Sequence, residues 1–364
     1  MELFFDLVFV FTLTQLSATL QHDLTPAGAG RVLLVFVVLF WMYGGYVWLT
    51  NQVPPRNAAR RVLLICGMAG FFICALSIPR AFDEDGLAFG VGYAIVVLVH
   101  AGLYAEAYGQ AVVRFVPTNI LGAASVLGAA LVDVPLKYAL WLLPIALQYL
   151  ASALTRRIDA QTRTGFDVRP GHFVERHGLL LIVAFGESIV AIGIGIAGEP
   201  VNLATAGPAV LGLVLTAALW WTYFGADERQ GERVLSTTTL EGRVVKALNA
   251  YFYAFIPILL GIVTVAAGLR LVIGHIGATL QLGPALLLGG GVALYLVGDV
   301  GYRVALHIRP IVVRLAGAVL ALASIAFGIG ISALAQLVAL VAILLGMLLI
   351  EARSDWFSHD ARAT

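Results

Sequence analysis

The sequence predicts an all-α fold, a polytopic transmembrane helical bundle of about 12 helices built as two parallel six-helix pseudo-repeats. Three observations predict it: an overwhelmingly apolar composition, a regular succession of apolar stretches about 20 residues long, and a lopsided placement of arginine and lysine between alternate joints. Of 364 residues, 60% are hydrophobic and 12% charged, with a mean hydropathy of +0.95. That leaves too little polar surface to enclose the chain in water, so a lipid bilayer has to serve as its solvent and first partner. The 13 prolines and 39 glycines would punctuate soluble helices. Membrane bundles tolerate both, because neighbouring helices satisfy the freed backbone groups and small residues allow close packing. A net charge of +1 gives no electrostatic footprint for nucleic acid, which is excluded as a partner. Cys66 and Cys74 share one apolar stretch, too far apart along a helix for a disulfide, and read as packing residues.

The apolar stretches fall at 3–21, 31–50, 62–78, 87–104, 115–132, 136–154, 178–197, 205–224, 248–269, 284–302, 311–327 and 332–350. Short polar joints separate nearly all of them. From Leu315 to Ile350 there is no charge, but that run exceeds one span, and Gly328-Ile329-Gly330 offers a tight turn that divides it. No basic n-region or small-residue cleavage site precedes the first apolar segment, so no cleavable signal peptide is expected and the first helix is retained.

Short cytoplasmic loops collect lysine and arginine, which tests the count independently. With twelve spans, 18 of the 22 basic residues fall on the side that holds both termini, and only Arg31, Arg80, Lys137 and Arg270 fall on the other. The division predicts cytoplasmic N- and C-termini. The longest polar joint then separates an N-terminal six-helix half, 1–154, from a C-terminal half, 178–364, through a cytoplasmic connecting loop, 155–177. The halves echo each other. Glu2 opens the first helix as Glu175 precedes the seventh, and Trp41-x-Tyr43-x-Gly45 matches Trp221-x-Tyr223-x-Gly225. Gly90-x-Gly92 with Gly102 matches Gly289-x-Gly291 with Gly301, which sets His100 opposite Asp299, and Pro117 corresponds to Pro310. Six helices return the chain to its starting side, so such repeats are parallel.

Charged side chains in hydrocarbon cost several kcal/mol and mark functional candidates. Glu187 lies near the middle of the seventh helix, in Ala184-Phe185-Gly186-Glu187-Ser188, with no helix end to which it can snorkel. A carboxyl there, beside Ser188, could exchange a proton or pair with a cation; equally, it could hold helices together. Glu2 and Asp6 are stacked one turn apart on the first helix. They could receive a cation, or simply complement the positive end of the helix dipole. Thr12 and Gln15 fall at the level of Glu187 in the repeat, which would bring polar groups to a shared midplane. His100 and Asp299 are secondary candidates, as potential partners or as structural polar residues. Glu175 and Arg176 belong to His172-x-x-Glu175-Arg176-His177, which lacks the zinc-protease spacing and reads as an interfacial network of ion pairs and hydrogen bonds. No metal site is predicted, and no cofactor is identified.

Glu2-Leu3-Phe4-Phe5-Asp6-Leu7-Val8-Phe9-Val10 and His172-Phe173-Val174-Glu175-Arg176-His177-Gly178, followed by Gly186-Glu187-Ser188-Ile189, resemble the two signature stretches of the bacterial low temperature requirement protein A family. The resemblance covers essentially the whole chain. It implies a multi-pass bacterial membrane protein, placed in the inner membrane, linked by name to growth in the cold. Motif membership extends to Glu2, Asp6, Glu175, Arg176, Gly186, Glu187 and Ser188. Family members often carry polar residues ahead of the first motif, whereas here it follows Met1 at once, which leaves room for a start upstream.

The function expected is an ion- or proton-coupled secondary transporter of a small solute, using Glu187 as the proton or cation site with alternating access between the halves. The arrangement resembles the major facilitator superfamily, but the joint Asn51-Gln52-Val53-Pro54-Pro55-Arg56-Asn57-Ala58-Ala59-Arg60-Arg61 lacks that group's Asp-Arg-Gly-rich motif. The alternatives are an ion channel, an intramembrane lipid-modifying enzyme, and a non-transporting sensor or structural protein. Against the enzyme, no nucleophile–base pair or metal constellation stands out.

Overall fold

The computed structural model describes residues 1–52, 57–108, 116–159 and 168–363, and among them there is helix and no strand. Ten helical stretches of the described residues are long and apolar enough to cross a membrane, and two shorter apolar helices bring the total to the twelve expected. In chain order they are α1 (Glu2–His22), α2 (Pro26–Gln52), α3 (Ala58–Ser77), α4 (Gly86–Tyr108), α5 (Val116–Ala129), α6 (Leu136–Asp159) and α7 (Pro170–Gly195). There follow α8 (Leu203–Thr222) running into α9 (Glu228–Thr237), α10 (Leu240–Leu248) running into α11 (Phe255–Val272), α12 (Leu282–Leu306), α13 (Val312–Ala323) with α14 (Ile325–Gly330), and α15 (Ala333–Ala363). The long uncharged run breaks after Gly330, with α15 restarting at Ala333.

One boundary differs from expectation. The stretch 155–177 reads as a connector, yet α6 runs to Asp159 and α7 begins at Pro170, with 160–167 outside the described residues. Proline suits the first turn of a helix, where its missing N–H has no partner to lose. Pro170 therefore opens α7 early, and His172 to His177 become its first two turns rather than a loop. Side-chain caps fix other starts: Asn57 accepts from the Arg60 N–H at 2.8 Å before α3, and Asn202 forms a reciprocal capping box with Thr205 before α8.

The chain divides into two compact units, Met1–Thr19 with Pro26–Leu180, and Leu20–Thr25 with Leu181–Thr364. In the first, an aromatic core joins α1, α2 and α3. Phe9 stacks on Tyr43 with centroids 4.2 Å apart, and Phe71 meets Phe5 edge-on at 5.3 Å. Gly70 of α3 and Gly92 of α4 lie so close that a Cβ on either would come within 2.9 Å of the other's carbonyl oxygen. Between α5 and α6, Gln148 donates to Asn119, a buried polar pair of the kind that joins membrane helices.

In the second unit α11 and α12 pack backbone to backbone. A Cβ on Gly261 would stand 2.6 Å from the Tyr295 nitrogen, one on Gly291 2.9 Å from the Val265 nitrogen, and one on Gly298 2.7 Å from the Ile258 nitrogen. Gly291 and Gly298 are two turns apart and so share a face. Only glycine fits there, so composition is converted directly into helix contact. The junction between α8 and α9 is a π-helical turn, Tyr223–Asp227, and a second, Asn249–Tyr253, joins α10 to α11. Such one-turn widenings redirect side chains and recur at functional sites. Rows of exposed leucine, isoleucine and valine, among them Leu98, Val190, Val297 and Val319, cover the helix faces that meet lipid.

Candidate functional site

In the first unit the sequence-predicted acids of α1 meet the start of α7. Asp6 is fully buried, and its Oδ1 accepts from the Tyr43 hydroxyl at 2.8 Å and from Arg176 Nη2 at 3.2 Å. Arg176, only 3% exposed, also donates through Nη1 to Thr50 and lies with its guanidinium carbon 6.0 Å from the Phe5 ring centre. A second thread runs beside the pair. Glu2 meets His172 Nε2 at 2.9 Å, His172 Nδ1 accepts from Asn51 Nδ2 at 3.0 Å, and Asn51 Oδ1 accepts the Arg169 N–H at 3.1 Å. Because Nδ1 takes a hydrogen bond from an amide, Nε2 carries the hydrogen that points to Glu2. The one-turn stacking of Glu2 and Asp6 thus offers two carboxylates to one face of α7, where His172 and Arg176 are also one turn apart.

These residues border a cavity of about 420 Å³ lined by Met1, Glu2, Leu3, Asp6, Arg61, His172, Glu175, Arg176 and Leu179. Six of the nine are ionisable. Oδ2 of Asp6 and Nε of Arg176 are buried without a hydrogen-bond partner, so the pair retains unused bonding capacity at the cavity. Glu175 is exposed there.

Glu187 and Ser188 are both buried, 8% and 1% exposed, in the middle of α7. A Cβ on the adjacent Gly186 would meet nothing within 4 Å, so there is open space one residue from the carboxyl. Thr12 is fully buried with its hydroxyl oxygen unbonded, and Gln15 is half-buried. His100 sits against the rings of Tyr46 and Tyr104, at 5.2 and 5.8 Å between centroids, with both ring nitrogens buried and unbonded.

Asp299 has partners that the sequence did not suggest. In the second unit it joins Asp227, Arg303, Arg314 and Glu351 in a buried ionic network. Arg303 forks onto Asp227 (Nε–Oδ2 2.7 Å, Nη2–Oδ1 3.0 Å), and Arg314 forks onto Glu351 (Nε–Oε1 2.8 Å, Nη2–Oε2 2.8 Å). Arg303 Nη1 reaches Glu351 at 3.1 Å and the Pro310 carbonyl at 2.6 Å, and Arg314 Nη2 reaches the Thr222 carbonyl at 3.1 Å. Asp299 Oδ2 accepts from Arg314 Nη1 at 2.6 Å. Two hydroxyls, of Tyr251 and Tyr302, bond to each other at 2.8 Å, and Tyr302 donates to the Asp227 carbonyl at 3.3 Å.

Four of these five residues escape a sequence reading. Arg303 and Arg314 count there as loop cations and Asp227 and Glu351 as ordinary charges beyond an apolar run, because helix ends are where charges normally lie. One signal was available. Asp299 and Arg303 are one turn apart on α12, the same spacing that draws attention to Glu2 and Asp6. Among the described residues, no group of three or more His, Cys, Asp or Glu side chains is disposed to hold a metal ion.

The family model described as bacterial low temperature requirement A protein matches residues 1–349. An uncharacterized protein of Rhizobium meliloti (strain 1021) is 29% identical to this chain over 327 residues, covering 85% of this chain and 78% of that protein. No solved structure matches.

Proposed function

We propose, from the premise that this chain belongs to the bacterial low temperature requirement A protein family, that it is an ion- or proton-coupled secondary transporter of a small solute. It works in the bacterial inner membrane with both termini in the cytoplasm. One observation carries this reading: the 420 Å³ cavity on which Glu2, Asp6, Arg61, His172, Glu175 and Arg176 converge. Ionic residues that merely fasten helices pack against each other and leave no space. Here residues of α1, α3 and α7 instead line an open pocket large enough for a small solute, with charges of both signs on its wall. The buried carboxyl of Glu187, two to three turns further along α7 beside the open space at Gly186, supplies the ion site. The six-helix echoes in the sequence are the kind of repeat that an alternating-access reading calls for.

Reconstituted protein in liposomes loaded with a pH-sensitive dye, challenged with a panel of amino acids, amines, sugars and carboxylates, tests the reading. The expected result is a saturable, solute-dependent proton or cation flux. Glu187→Gln should abolish the coupled flux, and Glu175→Gln, on the exposed wall, should raise the KM several-fold with little change in maximal rate. Flux that follows voltage without saturating would make the protein a channel, and unchanged flux in Glu187→Gln would remove that carboxyl from the mechanism.

A further inference from the structure

The network of α12, α13, α15 and the π-turn after α8 has no role in the transport reading, and its pairing is uneven. Arg303 forks most closely on Asp227 and Arg314 on Glu351, and Arg303 also reaches both oxygens of Glu351, at 3.1 and 3.4 Å. Fork-to-fork contacts are the strongest that these groups make, so both pairs are internally matched. Asp299 is the third carboxyl, fully buried, and it receives one hydrogen bond, on Oδ2. Its Oδ1 is buried with no hydrogen-bond partner at all.

The groups facing Asp299 are few. From its own helix come Arg303, at 3.9 Å and already forked elsewhere, and Tyr295, whose hydroxyl bonds with Thr222. From α13 comes Arg314, from α15 Glu351, and from the π-turn Asp227. On the α11 side, Ala254 and Ile258 pack against the neighbouring Gly298. Arg314 gives Asp299 one close hydrogen bond at 2.6 Å while forking on Glu351, and among the described side chains no donor reaches Oδ1. An anionic oxygen with no donor costs far more in a dry interior than a hydroxyl in the same place.

We infer that the network is a one-proton binding site, with the proton held on Oδ1 of Asp299. Oδ2 stays the acceptor for Arg314, while the hydroxyl on the other oxygen removes the unmatched charge. The two arginines fix Asp227 and Glu351 as carboxylates and thereby single out Asp299 as the carboxyl that takes up or releases a proton. The inference concerns the occupancy of this site and stands whether or not flux is found.

Infrared spectroscopy of the purified full-length protein, prepared with carbon-13 in the aspartate side chains, tests it. A protonated-carboxyl stretch that moves with the aspartate label is expected at neutral pH. It should be lost in Asp299→Asn and kept in Asp6→Asn and Glu187→Gln. Thermal midpoints give a second reading. Asp299→Asn replaces one neutral group by another and should stay within about 2 °C of the wild type, whereas Asp227→Asn strips Arg303 of its forked partner and should lower the midpoint by roughly 5 °C or more. No label-sensitive stretch in the wild type would overturn the inference, even if Asp299→Asn proved impossible to purify. So would a stretch that persists in Asp299→Asn, a stretch removed by sodium at constant pH, or an Asp299→Asn midpoint as low as that of Asp227→Asn.

Discussion

At the scale of single residues, the Asp6–Arg176 pair shows what burial does to an ion pair. Both side chains are almost wholly shielded, with 3.2 Å between Nη2 and Oδ1, and each is anchored by a neutral group of α2, Tyr43 for the acid and Thr50 for the base. Removing either charge leaves the other buried and uncompensated, at a cost of about 3–5 kcal/mol. Asp6→Asn and Arg176→Gln should therefore each lower the thermal midpoint in detergent clearly, while the double variant should lose less than the sum, by an interaction energy of about 1–3 kcal/mol. Strictly additive losses would mean that the two charges do not support each other. Asp6 and Arg176 were legible in the sequence, because an acid inside an apolar run and an arginine beside a signature stretch are each conspicuous. Arg303, Arg314, Asp227 and Glu351 were not. Each sits within a few residues of the end of an apolar stretch, where water is expected to solvate it. What buries them is contact among segments far apart in the chain, which local pattern does not record.

At the scale of elements, hydropathy located twelve helical stretches, since a span needs little more than an apolar run of sufficient length. It placed the start of α7 too late because the first two turns are polar, although Pro170 marks the true beginning. Nor did it anticipate the π-turns, since one extra residue in a helical turn leaves no trace in composition. The glycine seam between α11 and α12 is open to a direct test with its own control. Gly298→Val forces a side chain to within 2.7 Å of the Ile258 nitrogen, whereas Gly290, about a quarter turn round the same helix, has nothing within 4 Å of its Cβ position. Gly298→Val should lower the thermal midpoint by several degrees, as overpacking against backbone costs about 1–3 kcal/mol or more. Gly290→Val should leave it nearly unchanged. Equal effects at the two positions would show that helix propensity, and not the seam, sets the cost.

At the scale of the whole molecule, the twelve-helix count makes a definite statement about sidedness. The turn after α9 should face the cytoplasm and the turn after α11 the opposite side. Cysteine labelling with a membrane-impermeant maleimide reads this directly once Cys66 and Cys74 have been replaced. Thr237→Cys should react only after cells are opened, and Gly277→Cys should react in intact cells. The reverse pattern would invert the orientation inferred from the 18 basic residues on one side; reaction of both in intact cells would break the count between them. Three of those 18, Arg176, Arg303 and Arg314, are buried in ion pairs. They act as structural partners within the protein, and the remaining basic residues still outnumber the four on the other side.

The seam at Gly261, Gly291 and Gly298 also has a mechanical meaning. Side-chain ridges can slip past one another by changing rotamers, but main chains in direct contact have no such give. The α11–α12 hairpin is therefore a stiff strut, which can tilt as one piece and cannot shear along its length. Because α12 carries Asp299 and Arg303, any displacement of that strut is delivered undiminished to the charges at its end.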